Sequence, residues 1–229
     1  MRIRPVGAHA LLIDCADADQ VETWRAELWR RRERGQLTAV EIVPAATTVL
    51  LDGVPDPATT AARIAAWQPG PDAPGAPTAA SLPTTDSPTT GGLSGGGGTS
   101  AAGAGPVEVP VTYDGEDLPV VAGHWGVDVP AVIERLGRTP FRVAFCGFAP
   151  GFAYLTGLPA ELAVPRLPSP RPRVPAGSVA LAGPYAGIYP AASPGGWLLV
   201  GRTDLDLFDV HADPPARLTP GTPVRLVAA

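Results

Sequence analysis

The 229-residue chain carries 17 basic and 22 acidic residues, a net charge of −5, and is long enough for one large domain or two small ones. Its acidic balance lacks the basic face that nucleic acid requires, so no nucleic-acid partner is expected. All of its basic residues are arginine, which excludes a Schiff-base lysine, a phosphate-loop lysine and a biotinylated lysine within the chain. Cys15 and Cys146 are too far apart in sequence to suggest a disulfide framework, and Cys146 reads as a reduced core thiol rather than a nucleophile. His9, His124 and His211 show no metal-ligand spacing. No signal segment opens the sequence and no apolar run approaches the ~18–20 residues of a membrane span, so a cytoplasmic protein is expected.

In chain order, residues 10–14 form a short apolar run of β character. Asp17 or Asp19 caps a helix with Val21, Trp24 and Leu28 on its apolar side. Arg30, Arg31, Arg32 and Arg34 load its C-terminal end, which the helix dipole favours, and Gly35 ends it. Residues 40–43 and 48–51 are two strands around a turn at Pro44, and a second helix runs over 57–67 with Ile64 and Trp67 inward. The order β-α-β-β-α predicts a small α+β domain over 1–68. Residues 69–106 hold almost no large apolar side chain and only Asp72 and Asp86 as charges, which predicts a disordered Gly/Pro/Ser/Thr linker. Such a linker reaches about 35 Å.

From Val107 to the end a second, mainly β domain is expected. Residues 107–113 are a strand. Asp117 caps a helix to about Trp125, and Asp128, with Pro130 in the first turn, caps another to about Leu136. Apolar β runs at 142–146, 178–182 and 197–201 alternate with loops dense in Gly and Pro, and 206–209 and 223–227 are read as further strands. Many short strands with such turns predict a closed barrel.

The runs Gly147-Phe148-Ala149-Pro150-Gly151-Phe152-Ala153-Tyr154-Leu155, Pro165-Arg166 to Ser178-Val179, and Gly187-Ile188-Tyr189-Pro190 to Trp197 with Gly201-Arg202-Thr203 resemble one bacterial family. It is the family of the B-type 5-oxoprolinase subunits, also called allophanate hydrolase subunit 1, which includes KipI-like kinase inhibitors. The resemblance is strong over 107–227 and weak over 1–67. It implies that the β domain is a cyclophilin-like barrel. It also implies a heteromeric, ATP-dependent enzyme that opens the lactam of 5-oxoproline to L-glutamate, with C-type and A-type partner subunits and the ATP site shared among them. Two alternatives stay open: a carboxyltransferase module of the urea amidolyase kind, and a KipI-like inhibitor of a histidine kinase. The chain departs from the family pattern at Ala8-His9, at Ala45-Ala46-Thr47, at Glu134-Arg135-Leu136-Gly137, and at Pro184-Tyr185-Ala186.

The candidate binding residues for a small anionic amide or lactam are Arg166, Arg171, Arg173, Ser178, Tyr154, Tyr189 and Ser193. Guanidinium groups suit carboxylates and phosphates. For Arg171 and Arg173 a ligand role and a structural ion pair stay level, with one expected in the cleft and the other packed outward; Arg171 is the preferred ligand. Arg202 reads as structural. Ser178 and Ser193 lie in no nucleophile elbow, so they read as hydrogen-bonding groups. Tyr154 and Tyr189 can donate to a carbonyl oxygen. No residue is assigned as catalytic and no metal is expected.

Overall fold

The structure, a computed structural model, describes residues 1–67 and 105–229. The expected linker over 69–106 lies outside the described residues apart from Gly105 and Pro106.

The N-terminal part opens with a strand that sequence reasoning did not find. β1 (Arg2–Val6) pairs antiparallel with β2 (Ala10–Asp14), so the element order is β-β-α-β-β-α rather than β-α-β-β-α. β1 carries Pro5 and two arginines and sits at the sheet edge, where a missing N–H is tolerated. A bidentate pair between Arg4 and Asp14, both contacts at 2.9 Å, ties it across to β2. α1 (Ala18–Glu33) starts at Asp17, whose carboxylate accepts from the Gln20 amide. β3 (Glu41–Pro44) and β4 (Thr48–Asp52) form a hairpin, and α2 (Pro57–Ala65) is capped by Asp56. The sheet order is β1-β2-β4-β3. Leu11, Ile13, Val49 and Leu51 point from it onto Val21, Trp24, Leu28 and Ile64 of the two helices. Arg31 lies over the Trp67 ring and Arg32 over the Trp29 ring, so part of the arginine run covers aromatic faces.

The C-terminal part is a seven-stranded, nearly closed barrel-like sheet. It contains β5 (Val107–Val111), β6 (Phe141–Cys146), β7 (Ala153–Thr156), β9 (Ser178–Ala182), β10 (Tyr185–Ile188), β12 (Leu198–Arg202) and β13 (Pro223–Ala228). Their order is β12-β9-β10-β7-β6-β13-β5, antiparallel except for the parallel pair β5–β13. Past the end of β5, Thr112 meets Arg202 at the end of β12 by two backbone hydrogen bonds of 2.8 and 2.9 Å, which draws the first and last strands together. Between β5 and β6, α3 (Leu118–Trp125) and α4 (Val129–Arg138) pack on this sheet. The inner face is aliphatic: Val143, Leu155, Val179, Leu181, Ile188, Val200 and Leu226 all lie within it, almost fully buried. Each large aliphatic side chain buried this way contributes ~1.5–3 kcal/mol.

A two-stranded ribbon, β8 (Arg171–Val174) with β11 (Ser193–Gly195), stands apart from the barrel sheet. The Pro-braced stretch expected as a loop therefore contains a strand. Residues 206–209, expected as a strand, form none; Phe208 makes only an isolated bridge with Ala216. The alternation of Asp206, Leu207, Phe208 and Asp209 imitates a strand, but no neighbouring strand is available along its length. Among the described residues no helix is long and apolar enough to cross a membrane.

Candidate functional site

β9 is buried on both faces: every residue of it is inaccessible. Val179 and Leu181 enter the aliphatic interior, so the alternation of a strand sends Ala180 and Ala182 to the opposite, outer face. There they meet a second cluster built from Phe152, Val174, Tyr189, Trp197 and Leu199. The small side chains of β9, together with Gly187 of β10, leave room for rings to lie on the sheet. A Cβ at Gly187 would come within 3.0 Å of both the Trp197 and Phe152 rings.

The rings form one connected array. Tyr154 stacks on Phe145 with centroids 4.3 Å apart, and it meets Trp197 edge-on at 5.5 Å and Tyr185 at 5.8 Å. Phe152 lies edge-on to Tyr189 at 5.2 Å and to Trp197 at 5.5 Å. Such pairs add ~0.5–1.5 kcal/mol each beyond area burial. The array ends in solvent at Phe148, which is 63% exposed and holds φ at 71°. A left-handed backbone at an aromatic residue costs ~1–3 kcal/mol and persists only where its surroundings fix it. The Gly147 and Phe152 backbones close this loop, the Gly147 amide donating to the Phe152 carbonyl at 3.1 Å.

Arg166, Arg171 and Tyr189 converge on Trp197. The Arg166 guanidinium lies over the Trp197 ring, 6.0 Å from its centroid. Arg166 is exposed and, among the described residues, has no ion-pair partner. The Tyr189 phenol has its pKa raised, chiefly by burial; nearby Arg166, Arg171 and the Trp197 amide pull the other way. Tyr189 is only 2% exposed, and its phenol keeps its proton. Tyr185 is also raised by burial, with Tyr154 adding to it.

Arg171 has a different role from the one preferred above. Its Nη2 donates to both carboxylate oxygens of Asp117 at 2.8 Å, its Nε to Glu116 at 2.6 Å, and its Nη1 to the Trp197 carbonyl at 3.2 Å. Asp117 is 6% exposed and also accepts from the Leu199 amide at 2.6 Å. Asp117 stands at the N-terminus of α3, as expected, but its side chain makes no capping bond because Arg171 and Leu199 use it. Arg171 thus latches the ribbon to α3 and β12, and its donors are already spent on protein acceptors. Arg173 is exposed and has no ion-pair partner among the described residues. In a regular strand residues 171 and 173, two apart, would share a face. The register shift between Ser193 and Gly195 places an extra residue on β8, and this bulge is what separates an inward Arg171 from an outward Arg173.

Ser178 is buried at the start of β9, opposite Arg202. Ser193 sits on the ribbon, and among the described residues its hydroxyl reaches the Ala191 carbonyl at 3.5 Å. Arg202 pairs with Asp114 at 2.7 Å on the surface, the structural role expected of it. The Cys146 thiol donates to the Leu218 carbonyl and burial pushes its pKa up to about 11, so it is a core thiol. Of the named candidates, the fold gathers Arg166, Arg171, Tyr154 and Tyr189 at the aromatic array and leaves Arg173 and Ser193 on the ribbon. Phe145, Phe148, Phe152, Tyr185, Trp197 and Asp117 complete the site. The glycine-flanked Phe148 was visible in sequence as part of a motif, but its left-handed backbone was not.

The outer face of this barrel-like sheet thus carries an aromatic cluster with an arginine over it. The chain belongs to the family described as carboxyltransferase domain, subdomain C and D, whose model matches residues 1–218. Over 124 residues it is 49% identical to the B-type 5-oxoprolinase subunit of Escherichia coli O157:H7, covering 53% of this chain and 57% of that one. The corresponding protein of Bacillus subtilis (strain 168) is 44% identical over 124 residues, covering 53% and 52%. The chain spans about half the length of the curated relatives it matches. Among solved structures, that of TTHA0988 superposes with a TM-score of 0.69 at 30% identity, covering 97% of this chain and 40% of that one. The K. lactis urea amidolyase shares the fold at 18% identity, with a TM-score of 0.63 over 99% of this chain and 15% of that one.

Proposed function

We propose that this protein is a cytoplasmic subunit of an ATP-dependent 5-oxoprolinase, opening the lactam of 5-oxoproline to L-glutamate together with C-type and A-type subunits. The observation that carries the reading is the exposed Arg166, unpaired among the described residues, lying over the Trp197 ring beside the tyrosine cluster. A 5-oxoproline molecule presents one carboxylate and one lactam carbonyl. Arg166, seconded by Arg173, binds the carboxylate; Tyr154, half-buried and backed by the buried Tyr189, donates to the carbonyl oxygen and withdraws charge from its carbon. Trp197 supplies a flat apolar wall for the ring. Ser193 lies at the margin as a hydrogen-bonding group, while Ser178 lies beneath it in the sheet.

The donor set fits one small anion. It does not fit a triphosphate with its base: Arg171 is engaged, and the phosphate-loop lysine is lacking. ATP is therefore assigned to a site completed by the partner subunits, and the chain alone is expected to be inactive. We also read the barrel as cyclophilin-like, and residues 1–68 and 107–229 as two domains tethered through 69–106.

The test is to purify the chain with both partner subunits and follow glutamate release from 5-oxoproline with and without ATP. Activity that needs all three components and ATP supports the reading. Robust ATP-dependent glutamate formation by this chain alone, or none by the full assembly, overturns it. The second reading, a carboxyltransferase-like module acting on a urea- or amide-like substrate, is favoured by the family match itself. It would need biotin carried by another protein, because this chain has no lysine.

A further inference from the structure

We infer that Tyr189 is a positioning residue: its phenol braces the turn Gly195-Gly196-Trp197 from the barrel side and so fixes where Trp197 and Arg166 meet a ligand. This rests on the ligand reading above. Tyr189 is buried, so it does not itself reach a ligand on the surface. Its hydroxyl lies against Gly195 instead. A Cβ at that glycine would overlap the Tyr189 Oη and stand 2.9 Å from its Cζ and 3.1 Å from its Cε1. The phenol therefore fills the place that a side chain at 195 would need, and only glycine admits so close an approach. The Tyr189 ring is itself fixed, edge-on to Phe152, which in turn lies edge-on to Trp197. Its backbone is anchored at the barrel sheet: the Tyr189 amide donates to the Ser178 carbonyl at 3.0 Å, and its carbonyl accepts from the Gly177 amide at 2.7 Å. The Trp197 amide acts on the same hydroxyl, drawing its pKa down against burial.

The turn is tied from two further directions. The Leu167 amide donates to the Gly196 carbonyl at 2.7 Å, and Arg171 Nη1 to the Trp197 carbonyl at 3.2 Å. The first bond places Arg166, the residue before Leu167, whose guanidinium lies over the Trp197 ring. The second leads through Arg171 to Asp117. A displacement of the turn therefore moves the Trp197 wall and disturbs the Arg166 pose with it. A cation preset over the ring loses little freedom on binding a carboxylate, and that advantage disappears when the turn is loose. Tyr189 carries the position of the barrel sheet to this turn. Two opposite changes act on the one contact: removing the hydroxyl takes away the support under Gly195, and a methyl at 195 pushes the turn off the phenol.

The experiment has two readouts. One is the Trp197 resonance of the fluorotryptophan-labelled full chain, assigned with Trp197→Phe. The other is KM and kcat for 5-oxoproline of the chain assembled with its partner subunits. Gly195→Ala should shift the resonance and raise KM about tenfold, as a misplaced binding group does. Adding Tyr189→Phe should return both part of the way, because it removes the atom that the new methyl meets, and two residues in contact are coupled. Tyr189→Phe alone should shift the resonance and raise KM roughly threefold or more, with a smaller change in kcat. It keeps the ring in its cluster, so it remains a valid probe should Gly195→Ala fail to fold. A resonance unmoved by Tyr189→Phe overturns the brace, and so does a Gly195→Ala effect that is the same with and without the hydroxyl. A fall in kcat alone, with the resonance unmoved, makes Tyr189 a donor to the ligand and overturns the proposal. A wild-type complex inactive on 5-oxoproline overturns the ligand reading, while the resonance shifts and their coupling still decide whether Tyr189 braces the turn.

Discussion

The two faces of β9 make opposite uses of the same five residues. Inward, Val179 and Leu181 join an aliphatic interior. Outward, Ala180 and Ala182 are small, and rings with hydroxyls and an arginine occupy the space they leave. The inner face serves stability through area; the outer face combines apolar walls with a few polar groups, which is how ligand sites are composed. The difference shows that a strand buried on both sides can belong to two environments, with the smaller residues facing the aromatic one. The Arg171–Asp117 latch joins them, because it fixes the ribbon that roofs the outer face to β12 and α3.

The latch gives the largest expected effect. Asp117→Ala leaves a partly buried guanidinium and the Leu199 amide without their acceptor, and should cost about 3–5 kcal/mol in urea unfolding. Glu116→Ala, removing a carboxylate 64% exposed, should cost less than about 1 kcal/mol. Equal losses would break the distinction between a buried latch and a surface pair. On the inner face, Leu181→Ala should cost ~2–5 kcal/mol by cavity formation, with the Trp197 fluorescence environment retained. A shifted Trp197 resonance in fluorotryptophan-labelled protein, assigned with Trp197→Phe and distinguished from Trp125 of the inner cluster, would show that the faces are not independent.

The smallest effect is in pH dependence. Burial raises the Tyr113 phenol to about 12 and the Cys146 thiol to about 11. Each stays protonated in the folded chain at pH values where the unfolded chain has lost the proton. Stability from these groups is therefore full below pH ~9 and falls as pH rises toward 12. Tyr113→Phe should flatten that fall above pH ~10. Because the Tyr113 hydroxyl has no hydrogen-bond partner among the described residues, the substitution should be near neutral at pH 7. An unaltered slope in alkaline unfolding curves would place the titration elsewhere.

Much of the scaffold was legible because its signals are local. Asp17 and Asp128 accept from amides three residues on, as their positions before apolar-periodic runs suggest, and Asp56, not singled out in the sequence, does the same for α2. Asp117 gives the same local signal, but its partner Arg171 is 54 residues away, and no periodicity reports that. β1 was missed because Pro5 and its arginines suppress the strand pattern that the Arg4–Asp14 pair restores. Residues 206–209 failed in the opposite sense, since alternation without a partner strand makes no sheet. At the site, Tyr154, Tyr189 and Arg166 were legible as residue types in Gly- and Pro-rich loops. The separation of Arg171 from Arg173 was expected, but its cause was not legible, because it depends on a bulge rather than on strand alternation.

The central claim is that Arg166 serves the ligand while Arg171 serves the fold. The most direct measurement pairs kcat/KM of the assembled complex with the melting temperature of the Arg166→Ala and Arg171→Ala chains. Arg166→Ala should lower kcat/KM by roughly tenfold to a hundredfold, the loss of a charge-assisted contact of about 1.5–3 kcal/mol, with the melting temperature unchanged. Arg171→Ala should lower the melting temperature by several degrees. The reverse pattern, in which Arg171→Ala abolishes activity in a fully stable chain and Arg166→Ala leaves activity intact, would contradict the account.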